Sequence, residues 1–376
     1  MADSSQVQKA GAGAVQVQAG TVIVGIDEKR AREICDEKIA CAIKDLTIEA
    51  RSVAEERISD LVIKTLAKIQ ERKVDMSSFA DPKFQRELIN AQSSAAASDR
   101  KSDIEMLSEL LVARMDGTLQ RKMHTGISRA IEIVSDIDDD ELAALTVVYA
   151  FANFRPVPIL GVELNKGLKA LEDVYERIDI RALPKGDGWM ENLIMLDAII
   201  LNQVGTFKKM VDYYAELMDG YVCAGIEENS PNFSKAQQLL RNANLPLDIL
   251  VRNELLPDHV RLPFVKQVEC AELPLFLNVS GSVDGNQIQV PIKPTDVQIN
   301  AMKEVLALYK KDSQLMKCVK DAFKIEWQKY PSLVAVQKWM GGLKKSFDIT
   351  KVGRALAYTN ARRCAPGLPA LNLEEL

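Results

Sequence analysis

The chain has 376 residues, of which 47% are apolar, and it carries 48 Lys and Arg against 53 Asp and Glu for a net charge of -5. This composition excludes collagen-like and wholly disordered chains, and the length allows two or three domains with a sizeable core. The longest apolar runs, Ala143 to Phe151 and Leu193 to Leu201, are shorter than the roughly 20 residues of a membrane span. No secretory signal is visible. We therefore expect a soluble, cytoplasmic protein with no membrane partner.

The first 25 residues carry a pattern typical of β-strands. Val15 and Val17 alternate with glutamines between glycines, and Val22 and Val24 follow in a second short run. Two short strands are marginal alone in water. The segment therefore packs on the chain's own body, pairs with the same segment in other copies, or remains a weakly ordered tail. Of these, we favour strand contacts between subunits through the four valines.

A helical pattern runs from Asp27, which suits an N-cap, to about Glu71. No Gly or Pro interrupts these roughly 44 residues, a length far above the mean for a helix. Either a coiled coil or a helix shared between subunits, or one or two ordinary helices packed inside the subunit, can account for them. The apolar stripe must be covered by the chain's own helices or by another copy. We expect helix contacts between subunits from Ile39, Ile43, Leu46 and Val53.

The middle of the chain has the pattern of consecutive helices with short connections, which favours antiparallel packing. Asp81-Pro82 opens one helix, and the acidic run from Asp136 to Glu141 begins another, where it complements the helix dipole. That run lacks the glycine and the glutamate that a calcium loop requires. Helical patterns cover residues 84–97, 103–115, 119–134, 142–154, 161–178, 189–204, 207–220 and 234–243.

A small β element interrupts the helices after Pro257. The apolar runs Leu275 to Val279 and Gln287 to Pro291 flank Asp284-Gly285, a hairpin signal. Further helices are predicted at 296–310, 312–328, 331–346 and 350–362.

The predicted fold class is therefore mainly α. It has a long N-terminal helix, a short N-terminal β segment and a small β-hairpin before a helical C-terminal region. The domains that we predict are an extended β-prone segment (1–25), a long-helix region (26–98), a helical domain (99–255) and a basic α+β C-terminal region (256–376). The last of these, a hairpin with helices after it, is comparable to a winged helix.

No motif for catalysis or for a cofactor stands out. Both glycine-rich phosphate-binding patterns are missing, and no serine lies in a Gly-x-Ser-x-Gly turn. The six cysteines show no Cys-x-x-Cys spacing, and His124 and His259 are the only imidazoles, which argues against a zinc site. We therefore predict no catalytic residue, no metal and no cofactor, and we interpret both histidines as surface or packing residues.

The charge distribution is the most informative electrostatic feature of the sequence. Residues 301–365 carry 14 Lys and Arg against 5 Asp and Glu, so the preceding part of the chain is acidic. This basic footprint is what phosphate contacts need, but it also suits a solvated helix face or a surface that docks onto the acidic N-terminal half. The candidate nucleic-acid contacts are Lys344, Lys345, Lys351, Arg354, Arg362 and Arg363.

Two segments carry a resemblance to a protein family. The first, Val15-Gln-Val-Gln-Ala-Gly20, precedes the long Glu/Ala/Arg-rich helix, and the second contains Thr350-Lys-Val-Gly353. Together they resemble an uncharacterised bacterial family with a Gln-Ala-Gly strand signature, a long helix and a C-terminal Thr-x-x-Gly motif. The resemblance implies a bacterial cytoplasmic protein without an established activity and, by analogy, a role in antiviral defence. Physically, Thr350 suits an N-cap, and Gly353 permits close approach to a neighbouring segment.

Three functional hypotheses follow from these observations. The first is a non-enzymatic, self-assembling cytoplasmic scaffold or sensor whose partner is another copy of the chain. The second is a nucleic-acid-binding regulator that uses the basic C-terminal region, and the third is a hydrolase without a recognisable motif. The first predicts a smaller assembly when residues 1–25 are removed, whereas the second predicts nucleic-acid binding that weakens as salt rises.

Overall fold

The structure is a computed structural model, and it describes residues 26–44, 46–115, 121–156, 163–264, 266–268, 275–283 and 286–365. Helices dominate these residues and the strands are short, which confirms the mainly α fold class. The predicted N-terminal strands lie outside the described residues.

Consecutive helices form the first part of the described chain, and short strands occur among the helices only from residue 199 onward. The N-terminal helices are α1 (Glu28–Ala42), α2 (Ile48–Arg72), α3 (Pro82–Ala97), α4 (Lys101–Arg114), α5 (Arg121–Ile133), α6 (Asp139–Asn153) and α7 (Leu164–Arg177). The next elements are α8 (Gly188–Met195), β1 (Ile199–Leu201), α9 (Met210–Leu217), β2 (Ile226–Glu227), α10 (Pro231–Asn242), β3 (Val251–Arg252) and β4 (His259–Arg261). The C-terminal elements are β5 (Leu275–Val283), β6 (Asn286–Ile292), α11 (Asp296–Ala307), α12 (Ser313–Trp327), α13 (Pro331–Gly341), β7 (Phe347–Ile349) and α14 (Lys351–Cys364).

Several helices begin at the caps that the sequence predicts. Asp27 accepts a hydrogen bond from the Arg30 amide at the start of α1. Asp81 caps α3, which has Pro82 in its first turn. The acidic run opens α6 through a capping box formed by Asp138 and Glu141. These side chains satisfy amides that have no partner within the helix, and this explains why the helices start at these residues.

The predicted 44-residue helix is divided into α1 and α2. Thr47 accepts a hydrogen bond from the Ala50 amide and begins α2 as its N-cap. The long helix is therefore α2, with 25 residues, and not the whole stretch. A threonine whose hydroxyl competes for backbone hydrogen bonds favours a helix start over a helix interior, so the chain turns at this point without Gly or Pro.

The apolar stripe of α2 is covered largely by the same chain. Ala54, Ile58, Leu61 and Leu66 are buried in a core that α1, α3, α4 and α5 share with α2. Of the two explanations that the sequence left open, ordinary helices packed inside the subunit therefore account for this part of the stripe.

Helices α6 and α14 lie at the centre of the molecule. The α6 helix is buried nearly all round, because Leu145 and Val148 face the N-terminal core while Val147 and Phe151 face a second apolar cluster. The α14 helix packs against α5 and α6. The C-terminal helix is therefore part of the N-terminal core, although it ends the region predicted as a C-terminal unit.

Two further cores complete the fold. Helices α7, α9, α12 and α13 enclose an aromatic cluster that includes Tyr175, Tyr214 and Trp327. Helices α10 and α11 pack with the antiparallel sheet of order β2-β4-β3. The predicted hairpin is confirmed, since β5 and β6 pair antiparallel from Leu275 opposite Ile292 to Val283 opposite Asn286.

The predicted helix 189–204 is wrong in its second half, and the predicted helix 331–346 is too long, since α13 ends at Gly341. The α8 helix ends at Met195, and Asp197 adopts a left-handed conformation (φ 58°) that turns the chain. Residues 199–201 then form β1, which pairs antiparallel with β7. The Ile199-Ile200-Leu201 run suits a strand because its side chains alternate between the core and solvent, with Ile199 buried and Ile200 63% exposed.

Candidate self-association surface

The connection between α1 and α2 exposes a group of large apolar side chains. Leu46 is 37% exposed, Ile48 81% and Val53 49%. We call these three residues the α1–α2 corner. Single exposed apolar residues are common on protein surfaces, and these three, which lie on different sides of the start of α2, mark this stretch as a candidate contact surface.

The backbone of the α1–α2 corner is held in place by hydrogen bonds. The Arg51 guanidinium donates through Nε to the Leu46 carbonyl (3.1 Å) and through Nη2 to the Lys44 carbonyl (3.2 Å). The Leu46 amide donates to the Ile43 carbonyl (3.1 Å). These bonds satisfy carbonyls at the end of α1. Arg51 therefore links the first turn of α2 to the end of α1, and this link lowers the entropy lost when a partner binds.

The predicted oligomer contacts are found in different environments. Ile43 is buried and Ile39 packs partly buried against the N-terminal core, so both are used inside the subunit. Leu46 and Val53 are exposed at the corner. The predicted strand contacts Val15, Val17, Val22 and Val24 lie outside the described residues.

Sequence reasoning missed Ile48, the most exposed residue of the α1–α2 corner. A pattern that assumed one continuous helix left it off the apolar stripe. The regular spacing from Ile39 to Val53 continues across Thr47, so the stripe itself carries no sign of the break.

A second exposed apolar group lies where α8 passes into β1. Ile194 is 37% exposed, Met195 73%, Ile200 63% and Val204 91%. We call these four residues the α8–β1 surface. They were missed because residues 189–204 were predicted as one helix, in which these side chains carry no distinct pattern. The β-branched run of β1 was the feature that could have revealed them.

The Thr350-x-x-Gly353 motif fixes the α8–β1 surface to α14. The Thr350 hydroxyl lies 2.5 Å from the Asp197 carbonyl oxygen and 3.1 Å from that of Ala198, and its oxygen accepts from the Gly353 amide (3.2 Å). A Cβ on Gly353 would lie 2.1 Å from the Ala198 oxygen. The predicted N-cap and the predicted close approach are both confirmed, and the neighbour is the turn before β1.

The predicted nucleic-acid contacts separate into two groups, of which the lysines are exposed. Lys344 and Lys345 lie just before β7, and Lys351 begins α14. Their positions leave the ammonium groups in solvent, where they can contact an anionic surface.

The arginines of the same set contact groups within the subunit. Arg354 donates to the carbonyl of Ile349 (3.1 Å). Arg363 donates two hydrogen bonds to Asn360 Oδ1 (3.0 and 2.8 Å), and Arg362 lies over the Tyr358 ring, 5.8 Å from its centroid. These contacts hold the arginines against α14, so the basic sequence region does not form one continuous surface of cationic side chains.

The most deeply buried charge is paired within the fold. Arg261 is fully buried, donates to Glu254 (2.9 Å) and lies over the ring of Tyr221 at 4.6 Å. Glu254 also accepts from the Leu164 amide at the start of α7 (2.9 Å). Pairing of this kind makes burial of a charge tolerable, and it ties the β2-β4-β3 sheet to the aromatic cluster.

Burial makes two of the cysteines unreactive. Burial raises the pKa of the Cys35 and Cys223 thiols to about 12, so both remain protonated and non-nucleophilic near neutral pH. His259 Nδ1 lies 3.0 Å from the Pro257 carbonyl oxygen in a tight turn. Among the described residues, no three His, Cys, Asp or Glu side chains are grouped as metal ligands.

The fold and surfaces define a multi-helix protein with two exposed apolar groups on fixed backbones. The sequence profile of an uncharacterised protein family matches residues 25–242, more than half of the chain, and the chain belongs to that family. The matched range contains the α1–α2 corner and the α8–β1 surface and ends before the Thr350 motif. No curated protein and no solved structure matches the chain. In the part of the chain that the structure describes, no helix is both long and apolar enough to cross a membrane.

Proposed function

We propose that the protein is a non-enzymatic scaffold or sensor that assembles from copies of itself through the α1–α2 corner. The observation that carries this proposal is the exposure of Leu46, Ile48 and Val53 on a backbone fixed by Arg51. A cytoplasmic location and a role in bacterial antiviral defence belong to the same proposal and rest on the family resemblance alone.

Burial of the α1–α2 corner supplies a driving force for association. Removing one isoleucine or valine side chain from water is worth about 1.5 to 3 kcal/mol. The first residues of α2, from Ile48 to Val53, are all exposed, so this end of the helix is accessible from several sides. A second copy that covers it removes the largest exposed apolar group of the N-terminal helices from solvent.

The N-terminal segment supplies a second contact in the same proposal. Val15, Val17, Val22 and Val24 would pair as strands between subunits, with glutamines on the alternate face. Because strand pairing between copies satisfies backbone groups that a lone short strand leaves in water, assembly and ordering of this segment would be coupled.

Mass measurements test the proposal directly. We expect the purified protein to form an assembly at micromolar concentration, seen by mass photometry or light scattering. The double variant Ile48→Asp, Val53→Asp should have a dissociation constant at least about tenfold higher than that of the wild type. A tenfold change corresponds to about 1.4 kcal/mol, and two charges buried without partners cost far more than that. Ile63→Asp is the matched control, because Ile63 is 57% exposed on the same helix and lies outside the corner.

Deletion of residues 1–25 separates the strand contacts from the corner. We expect a smaller assembly than that of the full chain, and an unchanged mass would remove the role of the four valines. A full-length chain that remains a single particle at micromolar concentration would overturn self-assembly as a whole.

The defence role is tested by phage plating on bacteria that carry the wild-type protein, the corner variant or neither. An equal plating efficiency in all three would count against this role.

Nucleic-acid binding remains the second candidate, supported by the exposure of Lys344, Lys345 and Lys351. It predicts retardation of DNA or RNA at low salt that weakens steeply as salt rises. Lys344→Glu with Lys345→Glu should abolish the retardation, whereas Lys311→Glu, an exposed lysine after α11, should retain it. Absence of retardation at low salt would remove this candidate.

A further inference from the structure

The α8–β1 surface lies between groups of opposite charge. On its acidic side, Asn192 of α8 donates to the Asp136 carbonyl (3.4 Å), which places the exposed Asp136 beside this helix. Glu191 is exposed one helical turn before Met195. Exposed Asp138 and Asp139 follow Asp136 in the chain and extend the acidic group.

The basic side lies at the opposite end of β1. The amide of Asn202, just after β1, donates to the Ser346 carbonyl (3.0 Å), and the Ser346 amide donates to the Gly205 carbonyl (3.3 Å). Lys344 and Lys345 immediately precede Ser346, so both lie near Val204. Carboxylates therefore lie at the α8 end and lysines lie beyond β1, while the part between them holds the apolar Ile200 together with the exposed Asp197 and Asp348.

This surface has a fixed shape. The Ala198 amide donates to the Leu193 carbonyl (2.8 Å) at the end of α8. Asp197, just before it, has a left-handed backbone conformation, which is common where a helix ends. The Thr350 hydroxyl binds the same turn from α14. Charges and apolar side chains held on such a frame can match a partner without a large loss of entropy.

We propose that the α8–β1 surface is a two-fold interface with a second copy of this chain. In such an interface the same patch is used on both copies, and the rotation brings the acidic end of one copy onto the basic end of the other. A surface with carboxylates at one end and lysines at the other satisfies this requirement. Lys344 and Lys345 of each copy would meet Asp136 and Glu191 of its neighbour, with Ile200 and Met195 near the axis.

The inference rests on the proposed self-assembly and gives it a geometry. The α1–α2 corner and the α8–β1 surface are separate groups, since the first joins the first two helices and the second lies between α8 and β1. A two-fold contact alone closes as a dimer, whereas a second contact elsewhere lets dimers join into larger assemblies. The α8–β1 surface would form the dimer, and the corner would extend it.

Charge reversal in two complementary variants tests the interface. The acidic variant carries Lys344→Glu and Lys345→Glu, and the basic variant carries Asp136→Lys and Glu191→Lys. Each variant alone weakens the attraction between the acidic end of one copy and the basic end of the other, so we expect a smaller species than the wild type. An equal mixture restores opposite charges across the interface, so a tagged variant should retain the other variant more strongly than it retains an untagged copy of itself, and this difference should shrink as salt rises.

Asp348 provides a variant with the opposite expected effect. It is the cross-strand neighbour of Ile200 and is exposed, so its carboxylate would approach the equivalent group of the second copy near the axis. Asp348→Asn should therefore tighten the dimer by a fewfold, whereas Ile200→Asp should disrupt it. Circular dichroism and thermal unfolding confirm that each variant is folded.

The outcomes separate this inference from the proposed function. A wild-type assembly whose mass is unchanged in both charge variants overturns the α8–β1 interface and leaves self-assembly standing. Failure of the mixture to associate also overturns it. A wild type that is a single particle overturns both. Loss of nucleic-acid retardation in the acidic variant, without a change in mass, assigns the lysines to nucleic acid and overturns the two-fold interface.

Discussion

The two ends of α2 continue one apolar pattern but have different surroundings. Toward the C-terminal end, Ile58, Leu61 and Leu66 are buried beneath the chain's own helices. At the N-terminal end, Ile48 and Val53 are exposed. The comparison teaches that apolar periodicity identifies which face of a helix packs against something. Whether the chain's own helices or a partner packs there depends on how the rest of the chain folds.

The covered end of α2 is also connected by polar contacts. Lys68 and Arg72 each lie 2.8 Å from Glu109 of α4, and Lys68 donates to Ser108 (2.8 Å). At the exposed end, the polar contacts of Arg51 are local and reach only the connection to α1. One end is therefore bound to the subunit by packing and by charge, while the other is available to a partner.

The largest expected effect comes from removing the packing at the covered end. Leu61 is fully buried, so Leu61→Ala should lower the free energy of unfolding by about 2 to 5 kcal/mol through lost burial and a residual cavity. Urea unfolding followed by circular dichroism measures the loss.

Ile63→Ala on the same helix is the matched control for that variant. Ile63 is 57% exposed, so its truncation should change stability by no more than about 0.5 kcal/mol. Equal losses in the two variants would contradict the assignment of covered and uncovered faces on α2.

The sequence predicted the local features of the fold better than those that depend on distant parts of the chain. Caps such as Asp27 and Thr350 act within one helical turn, so their residue types were sufficient to place them. The break at Thr47 was harder, because threonine is tolerated inside helices and no Gly or Pro marked the turn. The strand pair β1–β7 joins segments far apart in the chain, and single-segment periodicity contains no information on such a pairing.

The candidate surfaces were predictable only in part, for a related reason. Leu46 and Val53 were found because they continue a visible stripe. Ile43 belongs to the same stripe but is buried, since exposure depends on helices that pack from elsewhere in the sequence. Of the basic residues, the arginines of α14 have contacts within the subunit that a pattern of charges does not reveal, because their partners, such as Tyr358 and Asn360, carry no charge.

A smaller effect is expected where α14 meets the turn before β1. Gly353→Ala would place a Cβ 2.1 Å from the Ala198 oxygen and 2.8 Å from a methyl group of Ile349, which forces the backbones apart. We expect a loss of about 1 to 3 kcal/mol in the free energy of unfolding, typical of overpacking. If the α8–β1 surface forms the dimer, the same shift should weaken association as well.

Gly341→Ala is the control for that variant. Gly341 ends α13, and a Cβ there has no atom within 4 Å, so alanine should be neutral or slightly stabilising. A Gly353→Ala protein as stable as the Gly341→Ala protein would show that the close approach of Ala198 is not required by the fold.

The smallest expected effect concerns the charges that bind α4 to the covered end of α2. Burial alone would raise the pKa of Glu109, but Arg72 and Lys68 outweigh it and hold that pKa below its usual value. A depressed folded-state pKa stabilises the protein above the pKa of the unfolded state, and this contribution is lost as pH falls through the folded-state pKa. Glu109→Gln should therefore cost about 1 kcal/mol at neutral pH, and the difference from wild type should shrink toward zero in acid.

Glu105→Gln, one turn earlier on α4, removes a more exposed carboxylate 3.3 Å from Lys64 and should cost less at every pH. Urea unfolding across the acidic pH range measures the free energy of unfolding of the three proteins. If the difference between Glu109→Gln and wild type stays the same in acid, the packing of α2 on α4, rather than this charge contact, accounts for the loss.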